Sequence, residues 1–215
     1  MHPAPHSPER ARRRRTAAAF RLAACAAALV AGSLLGAACA SSQLAGSWRS
    51  PAAPAAAYST VMILAVQSQE DARRRIEDAF ATVVRLHNVR AIASHLILPE
   101  QEELDRARLE SALSSYNADA VLVIRAAPVP QSAQSVGATA ALFAFYGRAW
   151  QNPEAVGTGG RGLEVRLFDA RSADAVWWGQ TRALDLADFR HDLRDVAEDA
   201  VDGLTEDGLV PAITN

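Results

Sequence analysis

The feature that most constrains the fold is an alternation of strand-like and helix-like patterns through the middle of the chain. VMILAV (61–66), the run at 89–98 and AVLVIRA (120–126) are apolar and rich in strand formers, which predicts three strands. Between them, apolar residues recur at helical spacing over 72–87 and 106–116. Strands that alternate with helices in this way favour right-handed crossovers and a parallel sheet covered by helices.

The second half of the chain predicts a hairpin and a long final helix. Residues 163–167 alternate between apolar and charged, and the turn DARSAD separates them from AVWWGQTRAL (175–184), so these two strands should pair antiparallel. A helix with one apolar stripe follows and is predicted to end at Gly208, as the first two helices end at Asn88 and Asn117.

Together these elements predict an α/β fold. We expect a two-layer or three-layer sandwich whose mixed sheet of about five strands, in the order β-α-β-α-β-β-β-α, is covered by helices. The domain should span residues 58–215. Within it, residues 128–160 contain three prolines and no clear periodicity, which predicts an irregular insertion.

The first 38 residues are typical of a signal peptide. ARRRR (11–15) is positively charged, and the uncharged run at 22–38 has 17 residues, which is short for a membrane-spanning helix. The run ends in Leu-Gly-Ala-Ala-Cys, which resembles the bacterial lipobox, where signal peptidase II cuts before a lipid-modified cysteine. Gly36 departs from the leucine preferred three residues before Cys39. A plain secretory signal cut near Ala38 and a retained membrane anchor are the alternatives.

Cleavage before Cys39 would decide the chemistry of this region. Cys25 would be removed and Cys39 alkylated, so the mature chain would have neither a disulfide nor a free thiol. The lipid on Cys39 would hold the protein at a membrane, and Ala40 after it favours the outer membrane, facing the periplasm. Residues 39–57 are small, polar and punctuated by proline, which predicts a flexible tether with Trp48 as its one large residue.

The charge of the mature chain argues against a nucleic-acid partner. From Cys39 onward there are 16 arginines and 23 acidic residues, a formal charge of −7, and the chain contains no lysine. Phosphate groups are neutralised by a basic surface, and this acidic chain would be repelled by them, so we expect no nucleic-acid partner.

Motifs for catalysis, cofactors or metals are weak. Residues 157–162 fit G-x-G-x-x-G, but a strand follows them where a dinucleotide site needs a helix. Ser94 beside His95 suggests a nucleophile and its base, yet neighbouring strand residues point to opposite faces. His87, His95 and His191 lack metal-ligand spacing, and the acids of the last helix predict a solvated face. We therefore expect no enzymatic activity, no cofactor and no metal.

Two groups of aromatic residues are candidate partner-binding sites. Trp177 and Trp178 are consecutive in a predicted strand, so one ring should face the core and the other outward, where a partner or another part of the chain would cover it. The second group lies within the apolar run 138–150 of an otherwise aromatic-poor chain, and consists of Phe143, Phe145, Tyr146 and Trp150. This group could enter a membrane interface, bind a partner or close over the sheet.

A family resemblance supports the same compartment. The succession of ARRRIEDAF, HNVRAIASHLILPE, YNADAVLVIRA and LEVRLFDARSADAVWWGQT, followed by an amphipathic helix, resembles a group of uncharacterised lipoproteins of Gram-negative bacteria. Its order of elements is similar to that of the amino-terminal domain of TolB and of the penicillin-binding-protein activator LpoB. The resemblance covers residues 58–210 and implies a fold and a location, with no catalytic residue to carry over.

The sequence thus predicts a lipid-anchored envelope protein that binds another envelope component without covalent chemistry. Two alternatives remain open at this point. One is a secreted or anchored, hydrolase-like enzyme with a site near residues 128–160, and the other is a purely structural lipoprotein without a specific partner.

Overall fold

The computed structural model describes most of the chain from Leu44 onward. The described residues are 44–67, 69–98, 106–128, 141–151, 161–182 and 189–213. Cys39 and the predicted signal peptide lie outside these ranges, as do most of the predicted insertion and the side chains of Trp150 and His191. In the described parts of the chain, no helix is both long enough and apolar enough to cross a membrane.

The α/β fold predicted from the sequence is confirmed. The described strands are β1 (Leu44–Arg49), β2 (Thr60–Val66), β3 (Arg90–Ala93), β4 (Ala120–Pro128), β5 (Arg161–Asp169) and β6 (Ala175–Thr181). The described α-helices are α1 (Glu70–Leu86), α2 (Arg106–Ser115), α3 (Leu142–Gln151) and α4 (Phe189–Glu206). A short 3-10 helix, Ser94–Leu96, follows β3 directly.

The six described strands form one mixed sheet in the order β1-β6-β5-β4-β2-β3. β2 lies between β3 and β4 and is parallel to both, as expected for strands joined through α1 and α2. β4, β5, β6 and β1 then pair antiparallel in succession. The hairpin predicted from residues 163–184 is therefore β5 and β6.

Helices cover both faces of the sheet, which makes the fold a three-layer sandwich. Alternate residues of β2 enter two separate cores, with Ile63 facing α1 and α4 and Leu64 facing α2 and α3. Phe80 of α1 is fully buried in the first core, and Leu109 of α2 is fully buried in the second. Burial on both faces explains why the sequence of β2 is continuously apolar.

The predicted helix ends are confirmed by the backbone. Asn88 and Asn117 follow α1 and α2 with φ of 60° and 50°, and Gly208 follows α4 with φ of 71°. This left-handed conformation is favoured by glycine and tolerated by asparagine. It ends a helix because the amides that follow can then donate hydrogen bonds to the last carbonyls of the helix.

The tether predicted at residues 39–57 is wrong over its central part. Leu44–Arg49 forms β1, an edge strand antiparallel to β6 in which Trp48 lies opposite Trp178. The pairing continues past the strand, since the Ser50 amide donates to the Val176 carbonyl at 2.9 Å. Pairing with the neighbouring strand orders this segment. Its own small and polar residues do not predict a strand.

The irregular insertion predicted at 128–160 contains a helix. Residues Leu142–Gln151 form α3, and four of its side chains are buried on the second core at the helical spacing i, i+3, i+4 and i+7, namely Leu142, Phe145, Tyr146 and Ala149. The segment is so uniformly apolar that its helical stripe is hidden among neighbouring apolar residues.

Candidate functional site

The paired tryptophans of β6 lie on opposite faces of the sheet, as predicted, and both are buried. Trp177 is 0% exposed and faces the first core, and Trp178 is 3% exposed on the opposite face. Each ring nitrogen has a partner: Trp177 donates to Asp207 at 2.9 Å and Trp178 donates to Glu164 at 3.0 Å. Of the two outcomes considered from the sequence, cover by the chain itself is the one observed.

Two glycines make room for the Trp177 ring. A Cβ on Gly179 would lie 2.8 Å from Cζ3 of Trp177 and closer still to Cη2, and a Cβ on Gly203 of α4 would lie 3.2 Å from Cζ2. Gly203 also lies against Leu44 of β1, so α4, β6 and β1 meet around this indole. Trp177 is thus a packing residue that joins the final helix to the edge of the sheet.

The described aromatic side chains of α3 pack on the second core. Phe145 and Tyr146 are buried, and the ring of Phe145 lies 5.6 Å from that of Phe168. Phe143 is partly buried, and the guanidinium of Arg106 lies 4.6 Å above its ring. The candidate binding aromatics are therefore divided between the two cores and do not form one exposed patch in the described structure.

A buried charge cluster lies beneath α3, centred on Glu164. Its Oε1 accepts from Arg166 Nε at 2.7 Å as well as from Trp178, and its Oε2 accepts from Arg125 Nε at 2.7 Å. Both guanidiniums lie over the face of Phe145, at 4.3 Å for Arg166 and 5.0 Å for Arg125. The side chain of Arg125 is 33% exposed, whereas Arg166 and Glu164 are buried.

The sequence does not predict this cluster, although a signal for it exists. Glu164 and Arg166 occupy alternate positions of β5, which the alternation pattern assigned to a solvated face. Arg125 lies opposite Glu164 on β4. Charged residues that alternate on neighbouring strands can pair across the sheet, and α3 then buries them.

A second buried network is centred on Glu77 of α1. Its Oε1 accepts from the Ala65 amide at 3.0 Å, from Arg73 Nε at 3.1 Å and from Ser94 Oγ at 2.7 Å. Its Oε2 accepts from the His95 amide at 2.6 Å. One carboxylate thereby ties α1 to β2 and to the 3-10 helix at the carboxyl ends of the parallel strands.

Ser94 and His95 are oriented toward Glu77 and not toward each other. They belong to the 3-10 helix and not to the second strand as predicted. Nδ1 of His95 lies 2.9 Å from Glu77 Oε2, and its Nε2 lies 3.5 Å from Asp78 Oδ1. The Ser94 hydroxyl is fully buried and donates to a carboxylate, an arrangement that orients a loop and does not activate a nucleophile.

The remaining sequence candidates have structural roles where they are described. His87 is buried with Nδ1 2.9 Å from the Pro211 carbonyl. Gly162, the last glycine of the G-x-G-x-x-G match, lies in β5, and a Cβ there would be 2.6 Å from the Thr181 carbonyl. In the described ranges, no group of three or more His, Cys, Asp and Glu side chains is placed to hold a metal ion.

A polar cluster at the other end of the sheet involves Tyr58. Its hydroxyl donates to Asp169 Oδ2 at 3.1 Å, and Asp119 nearby accepts from the Thr60 amide at 2.8 Å. Burial raises the pKa of Tyr58 above its ordinary value, and the negative charge and hydrogen bond of Asp169 raise the pKa further. The cluster ties the segment after β1 to the turn between β5 and β6.

The surface feature that sequence reasoning missed is a groove between β1 and α4. It has a volume of about 320 Å³ and is lined by Leu44, Ala45, Gly46, Ser47, Asp199, Asp202, Gly203 and Glu206. We call this the edge groove. Its acids lie on one side of the final helix, which the sequence assigned to a uniformly solvated surface, and the groove exists because β1 lies beside that helix.

Comparisons with known proteins show similarity in structure alone. No family model matches the chain, and no curated protein matches it. Two solved dodecamers of PelC from Paraburkholderia phytofirmans, one of them a single-residue variant, are similar in structure at 15% sequence identity. Each covers 72% of this chain and 94% of its own, with TM-scores of 0.37 and 0.38. A likeness this distant supports no statement about function or assembly.

Proposed function

We propose that this chain is a lipid-anchored envelope protein that faces the periplasm and binds a protein partner without covalent chemistry. The observation that carries the proposal is the order of a basic segment, an uncharged apolar run and Leu-Gly-Ala-Ala-Cys ending at Cys39. The resemblance to Gram-negative lipoproteins supports the same compartment, and Ala40 favours the outer membrane.

The position of β1 bears on how close to the membrane the domain is held. Leu44, the first residue of β1, is five residues beyond Cys39. Five residues span at most about 18 Å when fully extended. A lipid on Cys39 would therefore keep the outer strand of the sheet near the bilayer surface, with a much shorter tether than the 39–57 segment predicted from the sequence.

The polar side chains of the described core support a binding role over a catalytic one. Glu77 accepts from the Ala65 amide and from Arg73, which joins α1 to β2, and Glu164 accepts from Arg125 and Arg166, which joins β4 to β5. Ser94 is buried in the first of these networks. Such networks hold helices and strands in position, so we expect the functional residues to lie on the surface of the domain.

The anchor can be tested in cells with matched cysteine variants. We expect inhibition of signal peptidase II by globomycin to cause the uncut form to accumulate, because cleavage before Cys39 depends on that enzyme. Cys39→Ala should leave the membrane fraction or remain uncut, and Cys25→Ala should behave as the unsubstituted protein. No accumulation under globomycin, or a processed Cys39→Ala protein still held in the membrane, would contradict the anchor.

Partner binding is tested separately by crosslinking in intact cells followed by mass spectrometry. The same crosslinked protein should be recovered with the unsubstituted chain and with Glu110→Gln, a change at an exposed pair on α2. If purified candidate and purified chain then fail to bind each other, the binding role is wrong even when the anchor is present.

A further inference from the structure

We propose that the outer edge of β1 accepts an extended, basic segment of the partner as an additional strand. This inference rests on the proposed partner-binding function and assigns that function a surface. The edge groove is the feature that points to it, because the groove combines an outer strand edge with an acidic wall.

No described strand pairs with the outer edge of β1 between Ala45 and Arg49. β1 is the terminal strand of the sheet, with β6 on its inner side. Four consecutive β1 residues line the edge groove, and consecutive residues of a strand point alternately to opposite faces. A groove lined by all four therefore runs along the backbone edge of the strand, where amide and carbonyl groups are available to another strand.

The amino-acid composition of β1 favours pairing with an additional strand. From Leu44 to Trp48 the strand has neither proline nor a charged residue, the features that commonly protect edges, and the side chains of Ala45 and Ser47 are exposed. The register is irregular between Leu44 and Gly46, so the regular edge begins at Gly46. The opposite edge strand, β3, has four residues and begins with an arginine.

The wall of the groove decides the charge of the occupant. Asp199, Asp202 and Glu206 come from α4 at positions i, i+3 and i+7, which lie on one side of a helix. The lining contains no arginine or histidine. In an added strand, every second side chain would face this wall, so a segment with arginine or lysine at alternate positions complements it.

The same charges argue against a second copy of this chain as the occupant. Pairing β1 with β1 of another copy would bring two identical acidic walls to one interface. Like charges placed across an interface are unfavourable, and they suppress such association. The structure therefore favours a different, basic partner.

The test uses the mature protein from Cys39 onward in detergent micelles. The probe is an acetylated and amidated octapeptide of alternating arginine and valine. Binding is measured by fluorescence anisotropy of the labelled peptide, and strand pairing by hydrogen exchange of the β1 amides. We expect the arginine peptide to bind and to slow exchange at residues 45–49. An octapeptide of alternating glutamate and valine should not bind.

Matched variants separate the groove from general surface charge. Joint substitution of Asp199→Asn, Asp202→Asn and Glu206→Gln should weaken binding about tenfold, since the exposed charges of Asp202 and Glu206 are lost together with that of the partly buried Asp199. Asp195→Asn on the same helix, outside the groove, should leave the affinity unchanged. A peptide with alternate N-methylated amides, which keeps its charge but cannot pair as a strand, should lose binding.

Several results would overturn the inference. Equal affinity of the N-methylated peptide, equal binding by the triple variant, or unchanged exchange of the β1 amides would each show that the edge does not receive a strand. Self-association in sedimentation that the triple variant strengthens would identify a second copy as the occupant and contradict a basic partner. None of these outcomes alters the membrane fractionation of Cys39→Ala, so failure here is distinguishable from failure of the proposed anchor.

Discussion

Glu164 illustrates how single charged residues organise this fold. It lies on β5 and binds Arg166 of the same strand, Arg125 of β4 and the indole of Trp178 in β6. Removing two charges from water is costly, and the cost is offset only when each lone pair and proton has a partner. Here the carboxylate has donors on both oxygens, so three strands depend on one side chain.

Replacing Glu164 by glutamine should therefore be strongly destabilising. Glu164→Gln removes the negative charge that lies 2.6 Å from the buried guanidinium of Arg166. We expect the free energy of unfolding to fall by about 3–5 kcal/mol, measured by urea denaturation.

The control for this change is Glu110→Gln. Glu110 pairs with Arg106 one turn away on α2, and both side chains are exposed. Its loss should cost less than about 0.5 kcal/mol. Equal effects of the two substitutions would show that the Glu164 cluster does not support the sheet.

Tyr58 makes a contribution to folding stability that decreases at high pH. Its pKa is raised in the folded state, so above the ordinary value of 10.0 the unfolded chain loses the phenol proton while the folded chain still holds it. The contribution of Tyr58 to stability is complete below pH 10.0 and decreases as the pH rises further. Tyr58→Phe should show a shallower loss of unfolding free energy between pH 9 and 11, measured by denaturation at each pH. An identical slope in both proteins would contradict this account.

At the scale of elements, the packing of α4 against the edge of the sheet depends on small residues around Trp177. The indole fills the space beside Gly179 of its own strand and Gly203 of α4, and Leu44 of β1 reaches the same helix position. Three elements that are distant in sequence are joined at this one ring, so a single added methyl group can disturb all of them.

Gly179→Ala tests this packing. The new Cβ would overlap the Trp177 ring, which is also held by its hydrogen bond to Asp207. We expect a loss of about 1–3 kcal/mol in the free energy of unfolding. Gly203→Ala is the matched control, because its Cβ would lie 3.2 Å from the ring and helix propensity offsets the tighter contact by about 1 kcal/mol. A larger loss for Gly203→Ala than for Gly179→Ala would show that the ring adapts on the strand side.

How far the sequence predicts the elements depends on how much of the signal is local. β2 and β4 are buried on both faces and α1 carries one apolar stripe, so the local sequence is enough to predict these elements. The sequence of β1, LAGSWR, has little strand signal and predicts a tether, because its order comes from pairing with β6. The sequence of α3 shows no clear helical stripe because almost every residue in its segment is apolar.

The candidate site was less predictable than the fold for a related reason. The edge groove needs β1 and α4 side by side, and these elements lie at opposite ends of the domain sequence. The two tryptophans lie on opposite faces of a strand, as predicted, but their burial depends on residues distant in sequence, such as Asp207 for Trp177 and Glu164 for Trp178. Local patterns therefore identified the elements, and long-range neighbours decided which side chains remained at the surface.

In the molecule as a whole, the first residue of β1 and the Tyr58 cluster lie at opposite ends of the sheet. Leu44 lies opposite Thr181, at the end of the sheet where β2, β4 and β6 finish. The Tyr58 cluster lies at the other end, where β5 finishes at Asp169. A nine-residue strand such as β5 spans about 30 Å, which is the order of the distance between the two ends of the sheet.

Intact-mass spectrometry of the membrane fraction shows whether Cys39 becomes the lipid-bearing first residue of a membrane-held protein. We predict a mass equal to residues 39–215 plus the attached lipid, unchanged by Cys25→Ser and lost with Cys39→Ser. An unmodified chain that begins elsewhere, or a membrane-held protein of full length that retains residues 1–38, would contradict it.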